Sequence, residues 1–171
     1  MDQLKAYIRE VPDFPKQGIL YYDITTLLAN AHALRMTIDQ FVWLFAGLHV
    51  DKVVGIESRG FMFGSIVAYN LNAGFVPMRK PGKLPSHTVE QTYELEYGED
   101  RLEMHSDAIE PGERVLIVDD LIAIGGTAAA AARLVEAVGG IVAGLGFVVE
   151  LSFLDGRKKL EEYSVESLIK Y

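Results

Sequence analysis

The chain alternates between two hydrophobic rhythms. Lys52–Glu57, Phe75–Lys80, Arg114–Val118 and Ile141–Leu151 are compact apolar runs, as strands buried on both faces require. Between them lie segments of helical period. Leu34, Ile38, Phe41, Val42 and Phe45 share one face of a predicted helix over Ala31–Ala46. Further helices are predicted from Gly60 to about Asn70, over Thr127–Val138, and in a basic-acidic tail near Arg157–Glu162. Leu4, Tyr7, Ile8 and Val11 also stand at helical spacing, so the N-terminus reads as a helix stopped by Pro12 and Pro15. Gly18–Tyr22 is short and β-prone. Gln91–Tyr97 alternates Tyr93, Leu95 and Tyr97 with polar neighbours, and Gly98-Glu99-Asp100 turns it back into Arg101–His105. That is an antiparallel hairpin with one exposed face.

Strands alternating with helices predict an α/β, Rossmann-like, mainly parallel sheet flanked by helices, with the hairpin as an insertion. With 171 residues and no internal linker or repeat, the chain reads as one domain, 1–171. In such sheets ligands bind at the carboxyl ends of strands. Glu57–Arg59, Arg79–Lys83, Asp119–Thr127 and Glu150–Leu151 all fall there.

Half the residues are hydrophobic and 23% are charged, a globular balance. No apolar run approaches a membrane span, so no membrane association is expected. The N-terminus lacks the pattern of a signal peptide. Absent cysteine excludes disulfides and thiolate metal sites, and the expected location is cytoplasmic. A net charge of −8 argues against a nucleic-acid-binding face. Against that sum, Arg79, Lys80 and Lys83 form a local basic cluster, and Arg59 is a further cation in a Gly-flanked turn. Focused cations in a cleft suit a small anionic ligand.

The most informative segment is Val115–Thr127. An apolar strand ends in two carboxylates, Asp119 and Asp120, followed by Leu121-Ile122-Ala123-Ile124-Gly125-Gly126-Thr127 and an Ala-rich helix. Unpaired N–H groups at a helix start favour an anion, and paired glycines allow a phosphate to approach the main chain. The carboxylates repel phosphate, so they are expected to serve sugar hydroxyls or a divalent cation. This order builds a pocket for a phosphorylated, hydroxylated ligand.

The segment resembles the phosphoribosyl-pyrophosphate signature of the type I phosphoribosyltransferases. Four further stretches narrow the resemblance: Pro12–Leu20, Gly55–Phe61, Val76–Pro85 and Tyr93–Gly98. With Glu150-Leu151 they look like the adenine phosphoribosyltransferases over nearly the whole chain, least so at Ala31–Gly47. The resemblance implies that adenine and phosphoribosyl pyrophosphate give AMP and pyrophosphate with substrate-bound Mg2+, in a homodimer. It also implies an N-terminal base-binding hood segment and a flexible inserted hairpin. Tyr21–Leu28 and Phe61–Phe63 are the apolar segments expected at the dimer interface.

By the same resemblance, Asp119 and Asp120 hold the ribose diol. Ala123, Ile124, Gly125, Gly126 and Thr127 cradle the 5′-phosphate. Ser58, Arg59, Arg79, Lys80 and Lys83 take the pyrophosphate. Adenine lies between Tyr21 and Leu151, with backbone groups of Leu20 and Tyr22 at its edge. Glu96, Tyr97 and Arg59 are the catalytic candidates. No direct protein ligation of the metal is expected, although Asp119 and Asp120 can reach it through water. The chain departs from the family pattern at Ile124, where a threonine is usual, and at Tyr22, where many relatives carry arginine. A phosphoribosyltransferase for another purine, or a non-catalytic sensor of phosphoribosyl pyrophosphate or nucleotide, are the competing readings.

Overall fold

The computed structural model describes residues 2–94 and 99–171. Its centre is a five-stranded parallel sheet. The chain opens with α1 (Asp2–Lys5) and the antiparallel ribbon β1 (Arg9–Pro12) and β2 (Leu20–Asp23), followed by α2 (Thr25–Ala29) and α3 (Ala31–Phe45). Then come β3 (Lys52–Ile56), α4 (Gly60–Leu71) and β4 (Gly74–Met78). A hairpin of β5 (Thr88–Glu94) and β6 (Glu99–His105) interrupts the alternation before β7 (Arg114–Ile122), α5 (Gly126–Ala137), β8 (Ile141–Glu150) and β9 (Val165–Lys170). The sheet order is β4-β3-β7-β8-β9.

Alternate residues of β7 feed two separate cores. Val115 and Ile117 join the cluster beneath α5, with Leu134, Val135 and Phe147. Leu116 and Val118 join the opposite cluster, with Phe41 and Phe45 of α3 and Phe63 and Val67 of α4. All four β7 residues are fully buried, which is why that run has no polar alternation.

Three expectations need correction. The N-terminal helix ends at Lys5, and residues 9–12 are extended instead. Pro12 disfavours helix before it, and Arg9 pairs across the ribbon with Asp23 at 2.8 Å. The tail helix expected near Arg157–Glu162 is a 3-10 helix shifted towards the N-terminus, Gly156–Leu160. β9 was not anticipated, because Glu166 and Ser167 break its apolar run; Ser167 is nonetheless buried and takes a hydrogen bond from Arg157 at 3.3 Å.

Candidate active site

From β3 the chain passes outward to β4, and later returns on the other side of β3 as β7. That reversal opens a crevice at the carboxyl ends of β3 and β7. Pairing between them stops at Gly55–Val118, whereas β7 continues against β8 to Ile122–Glu150. The strand therefore runs beyond its predicted end at Val118, and Asp119 and Asp120 project past the tip of β3. Beyond β3 the Glu57–Ser58 peptide is cis, and Arg59 immediately precedes α4.

After β7, Ala123-Ile124-Gly125 leads into α5. Gly125 has φ +77°, a left-handed conformation that an L side chain rarely adopts, so glycine is required at this turn. Among the described residues no side chain caps α5, which leaves its first-turn N–H groups for an anion.

These segments enclose a cavity of about 710 Å³. Its lining includes Ser58, Arg59, Lys80, both aspartates and the whole Ala123–Thr127 loop. Phosphate-binding backbone, sugar-binding carboxylates and cations thus share one volume.

Charge in the cavity is already partly paired. Arg59 Nε stands 2.7 Å from Asp120 Oδ2. That oxygen is buried and has no aligned hydrogen bond among the described residues, so the pair is an electrostatic contact with an acceptor still unmet. Arg59 also donates to the Tyr21 hydroxyl, its guanidinium 5.7 Å from the ring centre. Burial, then the neighbouring Asp120 charge, push the Asp119 carboxyl well above its usual range. Asp120 is also raised by burial, with Arg59 opposing. Two adjacent carboxylates in this setting gain from hydroxyl donors or a cation.

Glu57 organises a second group. It accepts from Lys83 Nζ, from Arg79 Nε at 3.3 Å and from the Lys80 N–H at 3.0 Å. Burial raises its pKa, but these donors outweigh burial and hold it at about 2. Lys80 Nζ meets Asp100 and the Tyr93 hydroxyl, tying the base of the hairpin to the cavity.

The structure gathers Ser58, Arg59, Lys80, Asp119, Asp120, Ala123, Ile124, Gly125, Gly126 and Thr127 at one cavity. Arg79 and Lys83 lie beside it, held by Glu57. Leu20, Tyr21, Tyr22 and Leu151 are outside the lining, although Tyr21 connects through Arg59 and the Leu151 N–H donates to Ile122 at the end of β7, 3.0 Å away. The Tyr22 ring is buried against Tyr171, centroids 4.1 Å apart. Glu96 and Tyr97 fall outside the described residues. Sequence reasoning missed Asp100, Leu102 and Phe147, which also line the cavity together with Tyr93 of the expected hairpin. The resemblance implies a hairpin hood over the site, but the alternation of β5 by itself marks only a hairpin and not which of its side chains enter the crevice.

Comparison with known proteins agrees with this geometry. Residues 23–168 match the family model for the phosphoribosyl transferase domain. An adenine phosphoribosyltransferase of Solibacter usitatus is 60% identical over 171 residues, covering 100% of this chain and 99% of the relative. The crystal structure of adenine phosphoribosyltransferase from Thermoanaerobacter pseudethanolicus superposes with a TM-score of 0.96 at 53% identity, covering 99% of each chain. That of Saccharomyces cerevisiae, complexed with an imino-altritol bisphosphate and adenine, gives 0.92 at 43% identity, covering 98% of this chain and 97% of the other. A crevice combining an acidic pair, an open helix start and flanking cations, on a chain so similar along its whole length, places this protein in the adenine phosphoribosyltransferase family.

Proposed function

We propose that this chain transfers the 5-phosphoribosyl group of phosphoribosyl pyrophosphate to adenine, giving AMP and pyrophosphate, with residues 1–171 acting as one catalytic domain. The observation that carries the reading is the shared cavity of Asp119, Asp120, the Ala123–Thr127 loop, Arg59 and Lys80. The N–H groups of the loop and of the α5 start take the 5′-phosphate. Asp119 and Asp120 accept from the ribose hydroxyls. As the bond to pyrophosphate breaks, positive charge grows on the ribose, and the same carboxylates stabilise it. Arg59 and Lys80 receive the departing charge, with Arg79 and Lys83 close by. Arginine grips phosphate oxygens in a bidentate fork, and lysine acts as a point charge. Adenine is assigned to the region of Leu20, Tyr21, Tyr22 and Leu151. Glu96 and Tyr97 are assigned a catalytic role in a hood that excludes water. An unchanged kcat in Glu96→Gln would remove the acid–base role from Glu96.

The unmet, buried acceptor on Asp120 and the Asp119 carboxyl beside it in the cavity are hard oxygen donors of the kind magnesium prefers. They fit Mg2+ carried mainly by substrate oxygens and water, and Asp119 and Asp120 would hold it through those waters. When bound, Mg2+ neutralises charge on the pyrophosphate group.

A homodimer and a cytoplasmic location complete the proposal. Of the apolar segments expected at an interface, Ile24, Leu27 and Phe63 are buried in the core, whereas Met62 is exposed. Ile66 and Tyr69 on α4 and Trp43 on α3 are also exposed, and they support a self-association surface. Among the described residues no helix is long and apolar enough to cross a membrane.

The test is an assay of purified protein with Mg2+ and phosphoribosyl pyrophosphate, offering adenine, guanine, hypoxanthine and xanthine separately. AMP and pyrophosphate from adenine alone are expected. Absence of product from every base, despite tight ligand binding, would replace this reading with that of a nucleotide sensor.

A further inference from the structure

The phosphate loop has a back wall that its own sequence does not contain. Beyond β8, the Leu151 N–H donates to Ile122 O at 3.0 Å, a short 3-10 helix covers Ser152–Leu154, and Asp155 takes a left-handed conformation with φ 55°. Gly156 follows, buried. A Cβ built on Gly156 would collide with the carbonyl oxygen of Ala123 and stand 3.0 Å from both Ala123 C and Gly125 N. Conversely, a Cβ on Gly125 would collide with the carbonyl oxygen of Gly156 and stand 3.0 Å from its carbonyl carbon. Two backbones meet here with no side chain between them, and neither glycine can change while the other stays in place.

The wall is itself anchored. Arg157 donates from Nε to Glu150 at 2.8 Å, from Nη1 to the Val165 carbonyl at 2.7 Å and from Nη2 to Ser167 at 3.3 Å. Its partners belong to β8 and β9, so the turn is fixed to the sheet rather than suspended in a surface loop. A donor array for an anion is effective only when its N–H groups are held in place beforehand. Among the described residues no side-chain cap on α5 holds the loop, and the contact with Gly156 supplies that restraint.

We propose that the Asp155–Arg157 turn positions the phosphate loop, with Gly156 the positioning residue for the 5′-phosphate of the substrate. The inference rests on the functional reading above, in which the loop takes that phosphate. A methyl group at Gly156 must push the Ala123–Gly125 backbone away by roughly 1 Å, a displacement that can cost about 100-fold in a preorganised site.

The experiment compares wild type, Gly156→Ala and Arg157→Lys for KM toward each substrate, and for the shift in melting temperature caused by ribose 5-phosphate. Gly156→Ala should raise KM for phosphoribosyl pyrophosphate by about 100-fold, leave KM for adenine nearly unchanged, and lose the ribose 5-phosphate shift. Equal scaling of the two KM values, or no change in either, overturns the proposal. If Gly156→Ala shows no melting transition, Arg157→Lys decides: a selective rise in KM for phosphoribosyl pyrophosphate supports the wall, and unaltered kinetics overturn it. If the wild type makes no product from any base, the functional reading has failed separately, and the ribose 5-phosphate shift then tests the wall alone. In that case a shift in wild type that Gly156→Ala loses supports it, and no shift in wild type, or equal shifts in both, overturns it.

Discussion

Ile124 lines the cavity within the phosphate loop and is half-buried there. Replacing it with threonine places a hydroxyl at the loop position where the resemblance implies one. Valine is the matching control, because it has nearly the shape of threonine without the hydroxyl. All three residues are β-branched, so the stiffness of the loop changes little across the series. A hydrogen bond to a charged group contributes about 1.5–3 kcal/mol. At about 1.4 kcal/mol per tenfold change, Ile124→Thr should bind phosphoribosyl pyrophosphate about 10- to 100-fold more tightly than Ile124→Val. The valine variant should stay close to wild type, because losing one half-exposed methyl costs less than the roughly 0.5–1.5 kcal/mol of a buried Ile→Val change. The assay is initial-rate pyrophosphate release with phosphoribosyl pyrophosphate titrated at saturating adenine, supported by equilibrium binding. Because the 5′-phosphate is remote from the bond that breaks, the gain should appear in KM more than in kcat. A threonine variant whose KM equals or exceeds that of the valine variant would refute the assignment of this loop to the phosphate.

Three further outcomes are expected. Glu57, held at about 2 by Lys83, Lys80 and Arg79, contributes stability that is complete above the ordinary carboxylate value of 4.5 and lost as pH falls through about 2; Glu57→Gln should therefore be less stable than wild type at neutral pH, with the difference vanishing in acid melts near pH 2, and a difference independent of pH would contradict this. Asp119 has a raised pKa, so its ionisation costs folding stability; Asp119→Asn, which keeps an acceptor for the Asp120 N–H at 2.8 Å, should melt at a higher temperature than wild type near neutral pH while losing activity, and a lower melting temperature would contradict this. Tyr21→Phe keeps the ring but removes the acceptor for Arg59, and should raise KM for phosphoribosyl pyrophosphate several-fold with little effect on that for adenine; the opposite split would assign Tyr21 to the base alone.

What the sequence determined by itself was local. The apolar run into Asp119 and Asp120, the paired-glycine turn and the start of α5 follow from backbone chemistry within a few residues, although β7 continues past its expected end at Val118 to Ile122. The central parallel strands follow from the same kind of information. Tertiary structure decided what depends on a partner distant in the chain. Residues 9–12 carried a helical spacing yet became a strand, because β2 offered pairing and Pro12 barred the helix. β9 carried almost no signal, because a buried serine is stable there only beside Arg157. The candidate cations were legible as charges, but nothing local indicated that Glu57 would gather Arg79 and Lys83, that Asp100 would meet Lys80, or that Arg59 would bridge Tyr21 and Asp120. Such pairings require the sheet to bring separate strand ends together. The contact between Gly156 and the phosphate loop is the extreme case: a glycine in a 3-10 turn has no side chain to advertise its role, and only the closeness of two folded backbones makes it necessary.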